Sequence, residues 1–224
     1  MAVATPKPAS TVVLMDDHYR VYMTKRPATM KFMGGYYVFP GGKVADGDFQ
    51  LKEEALRPFN LNKSFHHAYY IAAARELFEE VGILLVSDHS PNQLSPEKKM
   101  EYRRQLINEE ITFPDMLEKE NLQLDLTNLT YFGQIITPDF NPVRFDTRFF
   151  LAKLPKSQTP NPHKEEVEEA AWISPEEAVK GYNSEFLLAP PTFHSLKAIV
   201  SYKNSGKLTM PEFNILDYLS PAQI

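Results

Sequence analysis

The chain has 224 residues, 43% of them hydrophobic and 24% charged, with a net charge of −5 and no cysteine. That length supports one substantial core, and no run of 18 apolar residues offers a membrane span. The acidic balance argues against a surface for duplex nucleic acid, which needs clustered Lys and Arg, and the absence of cysteine excludes disulfides and thiolate zinc sites.

Met1 to Ser10, with Pro6 and Pro8, lacks the basic and apolar regions of a signal peptide and is expected to be a lead-in or an extended edge. Ser220 to Ile224 carries none of the short address or lipidation signals, so the expectation is an intracellular, cytoplasmic protein without a membrane partner. Thr11 to Met15 and Tyr19 to Met23 read as two strands of a hairpin around the turn Asp16-Asp17-His18. A third strand, about Tyr36 to Phe39, delivers Pro40-Gly41-Gly42, where glycines let the backbone come close to a ligand. Before it, Arg26 and Lys31 could meet phosphate oxygens, Arg26 by a bidentate grip and Lys31 as a point charge, or could equally belong to a solvated loop.

Arg75 to Ile83 reads Arg-Glu-Leu-Phe-Glu-Glu-Val-Gly-Ile, preceded by three alanines and ended by Gly82, all signs of a helix. Glu76, Glu79 and Glu80 then share one face. Like charges at these spacings repel, so the set is costly unless a cation is present, and oxygen-only ligands suit a hard divalent ion such as Mg2+ or Mn2+. A bare acidic triplet would also fit a solvated helix face. The pattern as a whole, however, arises by chance in roughly one chain of this length per 10^5.

Taken with Gly42 and Asp48, this run resembles the Nudix box, G-x5-E-x7-R-E-U-x-E-E-x-G-U with U aliphatic. Gly42 takes the first glycine, Asp48 the place of the first glutamate, and Arg75 to Ile83 the whole second half. Asp48 and Arg75 are 26 residues apart where the family has seven. Such an interrupted box is similar to the branch that includes the peroxisomal coenzyme A diphosphatases. Thr24, Arg26, Gly35 and Phe39 to Gly42 fall in register with that branch's coenzyme A signature, with Lys31 in the place of its second arginine, whereas Tyr22, Met23 and Pro27 do not match. The inserted piece, residues 49–70, is expected to be a short helix and a loop, with His66 and His67 packed or solvated rather than metal-bound.

Farther on, Leu84-Leu85-Val86 is a buried-strand candidate, and Ser95-Pro96 opens a helix expected to reach about Glu110 with Met100, Tyr102, Leu106 and Ile107 on its apolar face. A second short helix, Phe113 to Glu120, follows, and the helical insertion 95–120 is expected to cover the pocket or to form a homodimer contact. Leu129 to Thr137 reads as a strand, broken by Thr137 to Pro142. The run Arg144 to Phe150, which resembles the same branch, begins another. Arg144 and Arg148 lie on one strand face at even spacing and could reach an anionic substrate, or Arg144 could pair with Asp146 or with carboxylates nearby. Ser174-Pro175 and Pro190-Pro191 open two further helices, and the tail to Ile224 has hydrophobics enough to pack back.

The resemblance implies a single domain over 1–224 with a Nudix-type α/β/α sandwich, a mixed β-sheet and extra helical insertions. It implies a diphosphatase acting on a small nucleotide-derived substrate, coenzyme A or its acyl esters first and ADP-ribose or nucleotide sugars second. The metals, Mg2+ or Mn2+, would be held by Glu76, Glu79, Glu80 and Gly42, with Arg75 positioning the carboxylates and Glu166 adding one from the loop before Trp172. Arg26, Lys31, Gly41, Gly42, Arg144 and Arg148 would bind substrate. Asp48 and the interrupted box leave open a ligand-binding module of this fold without turnover.

Overall fold

A computed structural model describes residues 3–30, 33–58, 60, 62–87, 94–163 and 167–212. Along β1 (Lys7–Met15) the side chains alternate between two interiors, with Val12 and Leu14 in one and Val13 and Met15 in the other. A strand buried on both faces belongs inside a sheet. β1 pairs in parallel with β6 (Phe145–Lys153) over its whole length and in antiparallel with β2 (Val21–Lys25) and β4 (Gly41–Lys43) on its other side. The seven-stranded mixed sheet runs β3 (Tyr37–Val38), β2, β1, β6, β5 (Leu129–Ile136), with β4 against β1 and β7 (Glu169–Ile173) against β2. Lys7 to Ser10 are therefore central rather than an edge, a correction that only the distant partner β6 could reveal.

The β1–β2 turn is set locally. The Asp16 carboxylate accepts the backbone N–H groups of His18 and Arg20 and pairs with the Arg20 guanidinium, while Tyr19 takes a φ of 61°. Helices cover both faces of the sheet. Phe78 of α1 (Ala68–Val81), Leu106 of α2 (Pro96–Ile107) and Met116 of α3 (Phe113–Lys119) fill the interior that holds Leu14. Ala178 of α4 (Pro175–Lys180) and Leu196 and Ile199 of α5 (Pro190–Ser205) fill the one that holds Val13. The result is an α/β/α sandwich. Ser95, Thr112 and Ser174 each cap a helix by accepting the N–H three residues on, with proline in the first turn. No helix among the described residues is long and apolar enough to cross a membrane.

Three local expectations change. Leu84 and Leu85 are buried but form no strand. The Gln158 side chain takes both backbone groups of Leu84, at 2.9 and 2.8 Å, so the bonds a ladder would make are made by one amide. Helix α2 stops at Ile107, and Met100 is 55% exposed while Arg103 turns inward beside Tyr102 and Leu106. Within residues 49–70 the inserted helix is a single 3-10 turn, Glu53–Ala55. His66 and His67 stack on each other and His66 on Phe49, which is packing. The tail from 213 onward lies outside the described residues.

Candidate active site

Helix α1 buries its alanines, Ile71, Leu77 and Phe78 against the sheet, which leaves Arg75, Glu76, Glu79 and Glu80 on the side toward β4 and the loop that follows it. Ser10 fixes the registration between the two elements. It lies opposite Gly42 in the β1–β4 ladder, and its hydroxyl donates to the Tyr69 carbonyl at 2.7 Å. Gly82, at φ 77°, then ends the helix, as only glycine does without strain.

Gly42 meets the acidic face directly. A Cβ placed there would lie 2.6 Å from Glu76 Cδ and 2.8 Å from its Oε2, so any side chain at this position would displace the carboxylate. Asp48, 1% exposed, caps the 3-10 turn Asp46–Phe49 by accepting the Ala45 N–H, and it also receives Arg75 Nε and Nη2 at 3.0 and 3.1 Å. Arg75 Nη1 donates to Glu76 and Glu79 at 2.9 and 3.0 Å, and Nη2 reaches the Lys43 carbonyl at 2.8 Å. One guanidinium thus ties β4, the loop after it and the acidic helix together. Burial alone would depress the Arg75 guanidinium, but the charges of Glu76, Asp48 and Glu79 more than reverse that. The Glu79 carboxyl is pushed up to about 7, first by burial and then by Glu76 and Asp48, against the pull of Arg75.

From the far side, Arg103 of α2 donates Nε and Nη2 to the Glu79 carbonyl at 3.1 and 3.0 Å, a cation at the helix C-terminus. His163 donates its backbone N–H to the Glu80 carbonyl at 2.9 Å. Among the described residues no three His, Cys, Asp or Glu side chains converge as a ready-made metal cage. Arg75 lies among the carboxylates instead. The donor set nonetheless fits a hard divalent ion, being carboxylate oxygens crowded enough to raise Glu79 toward neutrality.

Two depressions meet at Glu80. An acidic cleft of about 480 Å3 is lined by Asp48, Arg75, Glu76, Glu79 and Glu80 and by Thr112 to Pro114 of the helical insertion. An apolar cavity of about 320 Å3 is lined by Gly41, Gly42, Glu80, Arg26, Phe39, Phe145 and Phe149, among others. Arg26, Gly41 and Gly42 thus stand on the cavity wall. Lys31 and Glu166 fall outside the described residues.

Arg144 and Arg148 line neither depression. Phe145, Thr147 and Phe149 point into the cavity, so alternation turns Asp146 and Arg148 to the opposite face of β6. There Arg148 pairs with Asp146 and lies over the Phe65 and Tyr69 rings at 5.4 and 4.9 Å. Arg144 donates to the Thr137 and Ala4 carbonyls at 2.8 and 2.9 Å. Even spacing establishes a shared face but not which one. Sequence reasoning missed Arg103 and Asn141. The signal for Asn141 was present, because it lies in the Thr137 to Pro142 break beside the run that carries the resemblance.

Comparison with known proteins follows the same lines. The family model of the NUDT19 Nudix domain matches residues 60–199, more than half of the chain. The Caenorhabditis elegans protein named "Putative nudix hydrolase 7" is 29% identical over 197 residues, covering 88% of this chain and 61% of that protein. The acyl-coenzyme A diphosphatase NUDT19 of Gallus gallus is 26% identical over 258 residues, covering 93% of this chain and 68% of its own. The chain therefore spans about three fifths to two thirds of the length of these relatives. The crystal structure of a NUDIX hydrolase from Alicyclobacillus acidocaldarius superposes with a TM-score of 0.78 at 27% identity, over 94% of this chain and 100% of that one.

Proposed function

The chain belongs to the Nudix family, in the branch of the NUDT19 Nudix domain, and from that premise we propose that it is a hydrolase that cleaves the diphosphate linkage of a nucleoside diphosphate derivative. Coenzyme A or an acyl-coenzyme A is the substrate put first, giving 3',5'-ADP and phosphopantetheine or its acyl ester. ADP-ribose or a nucleotide sugar would undergo the same chemistry and stands second.

What carries the reading is the Glu76 carboxylate seated against Gly42, with Asp48, Arg75 and Glu79 bonded around it in one cleft. A diphosphate repels nucleophiles, so most of the work is charge neutralisation and alignment. Glu76, Glu79, Glu80 and the Gly42 carbonyl are proposed to hold Mg2+ or Mn2+, which would supply Lewis acidity and a stronger nucleophile at neutral pH. Arg75 keeps the carboxylates gathered rather than touching substrate. Arg26 and Lys31 are proposed to meet the anionic substrate, Gly41 and Gly42 to let it approach the backbone, and Glu166 to add a carboxylate near the attacking water. The fold over the whole of 1–224 is proposed to act as one domain.

The test is to incubate the protein with Mg2+ or Mn2+ and coenzyme A, acetyl-coenzyme A, ADP-ribose, a dinucleotide and a nucleoside triphosphate, with products separated by chromatography. Expected are 3',5'-ADP and phosphopantetheine, lost with chelator. Cleavage of ADP-ribose alone would move the substrate and keep the chemistry. Tight binding without any cleavage would mark a binding module.

A further inference from the structure

The apolar cavity contains one group that its walls do not explain. Val38, Phe39, Ile135, Phe145, Phe149 and Pro190 line it, yet the Asn141 carboxamide also faces it, and its Nδ2 is buried without a hydrogen-bond partner. Buried amide donors are almost always paired, so such an atom calls for a partner that binds. Two neighbouring hydroxyls are already engaged. The Thr137 hydroxyl exchanges bonds with the Phe145 backbone at 3.0 and 3.3 Å, and the Ser10 hydroxyl with the Tyr69 carbonyl. Asn141 itself is held in place, since its N–H donates to the Pro138 carbonyl at 3.2 Å and Pro142 follows it.

Resting on the function proposed above, we infer that this cavity receives the pantetheine arm and that Asn141 donates to one of its amide carbonyls. A substrate whose diphosphate lies at Gly42 and Glu80 has two arms to place. The 3'-phosphoadenosine arm carries a phosphate and a base with polar edges, and needs several charged and polar partners, whereas Arg26 is the sole cation among the described residues of this lining. The pantetheine arm alternates methyl and methylene groups with isolated amides. A mainly apolar channel with one carboxamide and a few threonine hydroxyls matches that alternation. Val143, which is 50% exposed, marks the mouth, and Phe140, next to Asn141 in the chain, is 51% exposed. An acyl group on the thiol end would leave along these two side chains.

Asn141→Asp keeps the shape and removes the donor. The expected result is a KM for coenzyme A raised about tenfold with kcat within about twofold, the size of one lost hydrogen bond to a buried group. Product inhibition identifies the arm: phosphopantetheine should inhibit the variant about tenfold more weakly and 3',5'-ADP equally well. A KM within twofold of wild type, or a loss confined to 3',5'-ADP, overturns the proposal while leaving the diphosphatase reading intact. No turnover of coenzyme A by the wild type overturns both. If Asn141→Asp melts early, Val143→Trp at the mouth replaces it, with the same two inhibitors and the same expected and contrary results.

Discussion

Arg75 and Arg104 each gather more than one carboxylate, and they teach opposite lessons. Arg104 binds Glu101 and Glu110 through four contacts of 2.7 to 3.2 Å, but all three side chains are about half exposed. Arg75 binds Asp48, Glu76 and Glu79 at similar distances, with every partner at 13% exposure or less. In water such contacts are screened and nearly interchangeable with solvent, whereas burial in the cleft weakens that screening and makes a lost partner costly. Geometry alone would rank the two networks as equals, and burial separates them.

The comparison is broken most severely at the acidic helix. Glu79→Gln and Glu80→Gln should each lower turnover by about 10^3-fold or more, since each removes a charge at the reacting centre. For Glu79→Gln the melting temperature at pH 8 should not fall, because the neutral form is the one its burial favours. Near-normal activity in both variants would refute the metal assignment. Asp48→Ala comes next. It leaves Arg75 short of its bidentate partner and should cost about 3 kcal/mol, read by urea unfolding, with activity reduced as the carboxylates lose their anchor.

A smaller effect sharpens the contrast through pH. Glu79 in the metal-free protein has its carboxyl at about 7, above the ordinary 4.5. The folded state therefore holds an extra proton between those values. The stability this gives is fully present below pH 4.5 and is lost as pH rises through 7. Melting of chelator-treated protein should accordingly fall across that window from this group, and Mg2+ should restore most of it at the alkaline end. A Glu79→Gln variant should lack the dependence. At the bottom of the scale, Arg104→Ala should leave both melting temperature and turnover within error. A measurable loss there would mean that exposed networks on α2 matter more than burial implies.

The same distinction explains what the sequence could disclose. Arg75 to Ile83 announced a helix with an acidic face because 3.6-residue periodicity and residue type are local properties, and the Ser-Pro openings of α2 and α4 are local as well. β4 was not legible, since Gly41-Gly42-Lys43 has no strand propensity and is held by its partner Ser10. Leu84 to Val86 looked like a strand because an apolar run reads the same whether a full ladder satisfies its backbone or, as here, a glutamine amide at Leu84 and an isolated bridge between Val86 and Leu124. Arg148 was placed on a strand correctly, yet only the register of β6 against β1 decides that its face looks away from the cavity. Asn141 was legible only as part of the break from Thr137 to Pro142, and its interest comes from the bond its Nδ2 does not make.

The parallel pairing of β1 with β6 bears on how the chain is made. Lys7 lies beside Phe145 and Met15 beside Lys153, so β1 waits during synthesis for a mate about 140 residues later in the chain. At cellular synthesis rates of about 5–20 residues per second that interval is roughly 7–30 seconds. During it, Val12-Val13-Leu14-Met15 has β2, β4 and helix α1 to pack against but lacks its longest partner. Translation speed and chaperone supply, rather than the strength of any contact in the finished molecule, should then govern the yield of native protein.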